Sequence, residues 1–287
     1  MSGEQGVTVL AHAKLNLFLR VLGRETDGYH SLETLFARLA LADELTATRR
    51  DAGVTIEVTG ADTGPDADNL AVRAATMVVS ALRTPIGVHL RLEKKIPVGG
   101  GLAGGSADAA AALEAVNRLA GNAVPRAELL QFAARLGSDV AFCFSGASLA
   151  LGWGRGERLM VLPPLPPAPV LLLVPPVSVK TAEAYRWVAE ARSTQSRRGA
   201  VAMDLESLGS WGSIGRLAGN DFESVVFGHL PQVRAAFEAV VGTRPLVCRM
   251  SGSGSAIFGV YRNTRDRDDA GQMLGKKLGR VILTETC

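Results

Sequence analysis

From Pro97 to Ala111 the chain reads PVGGGLAGGSADAAA. Five glycines, Gly99, Gly100, Gly101, Gly104 and Gly105, lead into an alanine-rich run that begins beside Ser106. Glycine lets a backbone turn its N–H groups inward and approach an oligophosphate closely. Alanine is the strongest helix former, and a helix start adds unpaired N–H groups and the positive end of its dipole. Pro97, Val98, Leu102 and Ala103 complete the loop, and the Ser106 hydroxyl can reach a phosphate or Mg2+. A plain flexible loop would lose the backbone entropy of five glycines for no structural return.

Two other phosphate-binding patterns compete with this reading. GxxxxGK[ST] is absent from the sequence. Gly99-x-Gly101-x-x-Gly104 does match the dinucleotide fingerprint of a nicotinamide-dependent oxidoreductase, but its context differs. The first strand of that fold is apolar on both faces, whereas Arg91, Glu93, Lys94 and Lys95 precede this loop. Residues 124–131, VPRAELLQ, read as a helix start where a strand ending in an acid is required.

The elements around the loop alternate between strand and helix patterns. Over Ala13–Val21 the odd positions are Ala, Leu, Leu, Leu and Val, so Lys14, Asn16, Phe18 and Arg20 share the other strand face. A turn is predicted at Asp27-Gly28, and strands near Thr34–Leu39, Leu45–Thr48, Val54–Thr59 and Val88–Leu92. Asn69 caps a predicted helix to about Leu82, Gly121 ends the helix after Ser106, and Pro125 opens another to about Leu136. GASLALGWG and ERLMVL read as a hairpin. The prolines of Pro163–Pro169 mark a boundary between an N-terminal domain, residues 1–162, and a C-terminal domain, residues 163–287. Beyond it lie a strand at Val170–Val174, a helix at Thr181–Ala191 and a polar loop at Arg192–Gly199. They are followed by a helix at Leu230–Val241, strands at Leu246–Met250 and Ser255–Tyr261 around the turn SGSGS, a helix near Arg265–Leu278 and a closing strand at Arg280–Thr286. Strands that follow one another without helices favour an α+β fold.

Composition narrows the class. With 287 residues, 47% hydrophobic and 21% charged, the chain can bury a large core without staples. A net charge of +3 with scattered basic residues forms no nucleic-acid stripe and suits a small anionic substrate. Cys143, Cys248 and Cys287 have no CxxC spacing, so neither a disulfide framework nor a zinc site is expected. The N-terminus shows no signal-peptide pattern, and VLPPLPPAPVLLLVPP is too short and proline-broken to span a bilayer. A cytoplasmic protein without membrane partners is expected, either a monomer or a homodimer.

Four blocks together resemble the GHMP kinases. PVGGGLAGGSADAAA is similar to their second motif, and MSGSGSAIFGVY, Met250 to Tyr261, to their third. LGSDVAFCF, Leu136 to Phe144, resembles the segment carrying the catalytic aspartate. AKLNLFLRVLGRETDGYHSLETLF, Ala13 to Phe36, resembles the first motif of the branch that phosphorylates a cytidine diphosphate-linked alcohol. The blocks keep the family's order over almost the whole chain. The resemblance implies a two-domain α+β fold whose C-terminal domain is ferredoxin-like, an active site in the cleft between the domains, ATP as co-substrate, and Mg2+ carried by ATP phosphates and water.

The same resemblance supplies roles. Asp139, which alone reads as a helix cap, becomes the base that takes the substrate hydroxyl's proton. Lys14 becomes the cation that polarises this hydroxyl and offsets charge on the phosphoryl group. Asn16 orients the substrate. Tyr29 and Tyr185 stack on cytosine, His30 bonds its edge, and Thr181 assists. The adenine is expected against Asn69–Leu82 and the strand at Val88. Ala103 stands where the family often has glycine, and a methyl group there calls for a negative φ. The remaining alternatives are a GHMP kinase for another alcohol, such as homoserine or mevalonate, and a nucleotide-binding regulatory protein without catalysis.

Overall fold

The computed structural model describes residues 6–26, 29–84, 86–192, 203–275 and 277–287. The alternation near the N-terminus grows into one long strand, β1 (Val7–Arg24), paired antiparallel with β2 (His30–Arg50) from Val7↔Ala47 to Arg24↔His30. The turn expected at residues 27 and 28 lies outside the described residues. β2 is a single strand where the sequence pattern suggested two. It pairs with β5 (Leu149–Gly154) along Leu32–Ala37 and with β4 (Gly87–Glu93) along Glu44–Arg50, so its two halves meet different surroundings. Asp43, which breaks the apolar pattern, is fully buried.

The strict alternation expected over residues 13–21 does not hold. A bulge lies between Asn16 and Phe18. Ala13, Leu15, Leu17 and Phe18 enter one core, while Leu19 and Val21 enter another. Lys14 and Asn16 precede the bulge and remain on one face, joined by a 2.6 Å hydrogen bond.

Among the described residues the first sheet runs β3-β4-β2-β5-β6, with β1 on β2; β3 is Val54–Thr59 and β6 is Arg158–Val161. Three helices pack on it, α1 (Leu70–Ala81), α2 (Gly104–Leu119) and α4 (Ser138–Ser145), and α3 (Arg126–Leu136) packs against these three. The Asn69 side chain accepts the Ala71 N–H, the predicted cap. The alanines of α2 are buried, and their small side chains let the helix sit close to β1, β2 and α1.

The chain changes sheet between β6 and β7 (Pro169–Val174), across the proline cluster. The second sheet has the order β10-β7-β9-β8, with β8 (Val247–Met250), β9 (Ile257–Val260) and β10 (Arg280–Glu285), all neighbours antiparallel. That is the 4-1-3-2 order of a ferredoxin-like unit. Its helices are α5 (Thr181–Arg192), α6 (Trp211–Leu217), α7 (Glu223–His229), α8 (Pro231–Gly242) and α9 (Thr264–Leu274). The polar loop expected at 192–199 lies, from residue 193, outside the described residues. α4, α6 and α7 were not separated by periodicity. Each is only two turns long and is held by buried Val140, Ile214 and Val226 rather than by propensity. α9 ends at Leu274, short of the expected Leu278, because Gly275 has φ +56°. Isolated bridges tie the first sheet to the second half of the chain, Leu19↔Asn220 to the segment between α6 and α7 and Leu39↔Thr286 to the residue after β10.

Candidate active site

A cleft of about 1100 Å³ opens where the phosphate loop, β1, α4 and α5 meet. Every predicted loop residue from Pro97 to Ser106 lines it, as do Lys14, Asn16, Tyr29, His30, Asp139, Thr181 and Tyr185. The loop turns through positive φ at Gly99 (+74°), Gly101 (+76°) and Ala103 (+59°). The negative φ expected of Ala103 is therefore wrong: it holds the left-handed conformation that caps α2, where a methyl group is strained. A Cβ on Gly101 would lie 2.1 Å from the Ser251 carbonyl oxygen, so glycine is required there by a neighbouring backbone as well as by its own torsion.

That neighbour is the turn Ser251–Ser255. The Ala256 N–H donates to Gly100 O (3.1 Å), and the Ser251 hydroxyl donates to Gly101 O (3.0 Å). Lys14 Nζ donates to the same Gly101 carbonyl at 3.1 Å and lies 3.3 Å from Asp139 Oδ2. The lysine side chain is almost wholly buried, while the Asp139 carboxylate is about a third exposed to the cleft, at 34%. Asp139 occupies the first turn of α4, where the helix dipole favours a negative charge. Asn16 accepts from Lys14 and donates to the Thr34 hydroxyl (2.8 Å), which itself donates to Phe18 O (2.7 Å). A buried cation, an accessible carboxylate and a glycine loop at a helix start thus share one floor. Such a floor can hold a polyphosphate and deprotonate a hydroxyl beside it.

At the far end, Tyr29 is 62% exposed with Arg155 over its ring at 4.1 Å, and Arg155 also pairs with Glu25. Tyr185 stacks on His30, centroids 4.7 Å apart, and meets the Phe222 edge at 4.9 Å. Burial, then the charge of Asp139, pushes the Tyr185 hydroxyl up to about 12. Thr181 hydrogen-bonds Ser253 across the cleft at 3.1 Å. Of the region expected for adenine, Asn69 and Leu70 line the cleft; Val88 is in the core and does not.

Sequence reasoning missed a buried triad below the loop. Lys94, one of the four charged residues ahead of the loop, is 7% exposed and donates to both Asp43 and Asp108. Asp43 Oδ1 also accepts the N–H groups of Lys95 and Ile96. Burial outweighs the attraction of Lys94 and, with repulsion from Asp43, pushes the Asp108 carboxyl up to about 7. The available signal was an aspartate set among alanines that all face inward. It missed Asn220 and Arg155 as well; no motif in the sequence marks them.

This fold and floor define a class of phosphotransferase. The family model of the GHMP kinases N terminal domain matches residues 69–147, and that of the GHMP kinases C terminal matches residues 202–280. A 4-diphosphocytidyl-2-C-methyl-D-erythritol kinase of Solibacter usitatus is 41% identical over 96% of this chain and 88% of its own. One of Moorella thermoacetica is 40% identical over 98% and 99%. A solved structure of 4-(cytidine 5'-diphospho)-2C-methyl-D-erythritol kinase superposes with a TM-score of 0.81 at 34% identity, covering 97% of this chain and 98% of that one. The chain belongs to the GHMP kinases, and within them to the family of 4-diphosphocytidyl-2-C-methyl-D-erythritol kinases. It is an ATP-dependent kinase acting on an alcohol group of a small molecule. A homoserine kinase of Cytophaga hutchinsonii shares the fold alone, with a TM-score of 0.74 at 22% identity. Among the described residues no helix is long and apolar enough to cross a membrane.

Proposed function

We propose that the cleft transfers the γ-phosphoryl group of ATP to the tertiary 2-hydroxyl of 4-diphosphocytidyl-2-C-methyl-D-erythritol, giving the 2-phosphate and ADP. The observation that carries this reading is the 3.3 Å approach of Lys14 Nζ to Asp139 Oδ2 beside the glycine loop. The loop N–H groups and the start of α2 hold the phosphates. Asp139 takes the proton of the attacking hydroxyl, and Lys14 offsets negative charge in the transition state. Asn16 orients the hydroxyl. Cytosine is held by Tyr29, His30 and Tyr185, with Thr181 at the lip. Mg2+ fits as a passenger of ATP, because the Ser106 hydroxyl and phosphate oxygens are the hard donors it takes; bound there, it neutralises phosphate charge. The domains are residues 1–162 and 163–287, an assignment supported by the change of sheet across the prolines. A cytoplasmic location and action without nucleic acid complete the reading.

ADP release measured with a panel of alcohols tests the substrate, and Asp139→Asn tests the base. This variant keeps the side chain's shape, so kcat falls by roughly 10²–10⁴ while substrate binding persists. A variant with most of its kcat removes Asp139 from the base role.

A further inference from the structure

We propose that Asn220 is a positioning residue for phosphoryl transfer, its carboxamide setting the Ser251–Ser255 turn against the phosphate loop and thereby Lys14 against Asp139. The proposal rests on the kinase reading above. Asn220 sits between α6 and α7, is 8% exposed and does not line the cleft. Its amide nitrogen donates to Met250 O (2.8 Å) and Gly252 O (2.7 Å), and its Oδ1 accepts the Phe222 N–H (2.9 Å). Two donors and one acceptor are satisfied at once, and these partners admit one amide orientation only. An aspartate of the same shape would aim a carboxylate at two carbonyl oxygens.

The contacts continue from there to the reacting end. Gly252 lies so close to the site that a Cβ on it would be 3.2 Å from Gly101 O and 3.5 Å from Lys14 Nζ. The Ser251 hydroxyl and Lys14 Nζ share the Gly101 carbonyl. Displacing the turn therefore moves one of the few acceptors that aim the buried ammonium at Asp139. The segment around Asn220 is also anchored to the strand that carries Lys14. Leu19 N–H donates to Gly219 O (2.8 Å), Asp221 N–H to Leu19 O (3.0 Å), and Val21 N–H to Asp221 Oδ2 (2.8 Å). Glu223 accepts the Met250 N–H (2.9 Å) from the other side. Residues 219–223 thus hold three of the sequence motifs in register: the first strand directly, the third turn directly, and the glycine loop through that turn. Misplacement of about 1 Å from such a remote site costs on the order of 10²-fold in rate.

The test compares Asn220→Asp and Asn220→Ala with Val226→Ala, a core truncation in α7 that destabilises without touching the turn. Measured well below each melting temperature, Asn220→Asp loses about 100-fold in kcat and weakens binding of a non-hydrolysable ATP analogue by calorimetry. Asn220→Ala loses about tenfold, and Val226→Ala keeps both values. If Asn220→Asp does not fold, Asn220→Ala and Ser251→Ala form a cycle in which the combined loss is smaller than the product of the single losses. Asn220 variants within threefold of wild type, losses matched by Val226→Ala, or multiplicative losses in the cycle would each overturn the proposal. The analogue affinity is read without any alcohol, so a wrong substrate assignment leaves that arm intact.

Discussion

Replacing Lys94 with methionine removes the one cation that, among the described residues, hydrogen-bonds the buried aspartates Asp43 and Asp108, and puts a neutral chain of similar length in its place. Both side chains are at most 3% exposed, so water does little to take over the lost contacts. Breaking a buried ion pair from one side costs about 3–5 kcal/mol, a fall in melting temperature on the order of 10 °C. The cost depends on pH in a stated direction. The folded Asp108 carboxyl is raised from 3.8 to about 7, so its contribution to stability is full below 3.8 and is lost as pH rises through about 7. Removing Lys94 removes a cause that lowers it, so in the variant Asp108 stays protonated at neutral pH and Asp43 keeps its two backbone donors. The variant is therefore destabilised most at pH 8 and least near pH 5. Adding Asp108→Asn to Lys94→Met restores part of the loss at pH 8 and almost none at pH 5. Thermal melts followed by circular dichroism, with urea midpoints at both pH values, measure this. A single variant melting within about 2 °C of wild type at pH 8 would refute the buried-triad argument. So would a double variant no more stable than the single one there.

Gly101→Ala forces a Cβ to 2.1 Å from the Ser251 oxygen at φ +76°, so ATP-analogue affinity falls at least about tenfold by calorimetry in a folded variant. Ala103→Gly relieves a methyl group at φ +59° worth about 1–2 kcal/mol, less about 0.4–1 kcal/mol for the freer unfolded chain. It raises the melting temperature by a few degrees at most, and a fall would contradict the strain argument. Tyr29→Ala and Tyr185→Ala each remove a base stack worth about 1–3 kcal/mol, which weakens the cytidyl substrate by roughly 5- to 150-fold while ATP affinity holds. Tyr185→Ala lowers the melting temperature more than Tyr29→Ala does, because Tyr185 packs on His30 and Phe222 whereas Tyr29 is 62% exposed with its ring under Arg155. Unchanged substrate affinity in Tyr29→Ala would sink the cytosine clamp.

Much of this protein is legible along the chain, because the informative signals are local. Glycines followed by an alanine run specify a tight loop and a helix start through backbone torsion and propensity alone, and the structure has both at Pro97–Leu119. Side-chain alternation is likewise local, and it put Lys14 and Asn16 on one strand face. The chain leaves its first sheet between β6 and β7, a stretch that contains the proline cluster. What only the tertiary structure decided are features set by partners distant in sequence. The bulge after Asn16 splits one apolar strand face between two cores, since its register is dictated by β2. Lys94 stands in the sequence only as a charged residue ahead of the loop, and it is Asp43, 51 residues away, and Asp108 that close over it. Ala103 takes a positive φ because the loop must return to its helix, although its own side chain opposes that torsion. Asn220 has no local pattern at all; its role arises from carbonyls of Met250 and Gly252 about 30 residues further on, brought to it by the second sheet. A buried polar group is satisfied by whatever the fold delivers, so its partners are written in the packing and not in its neighbours along the chain.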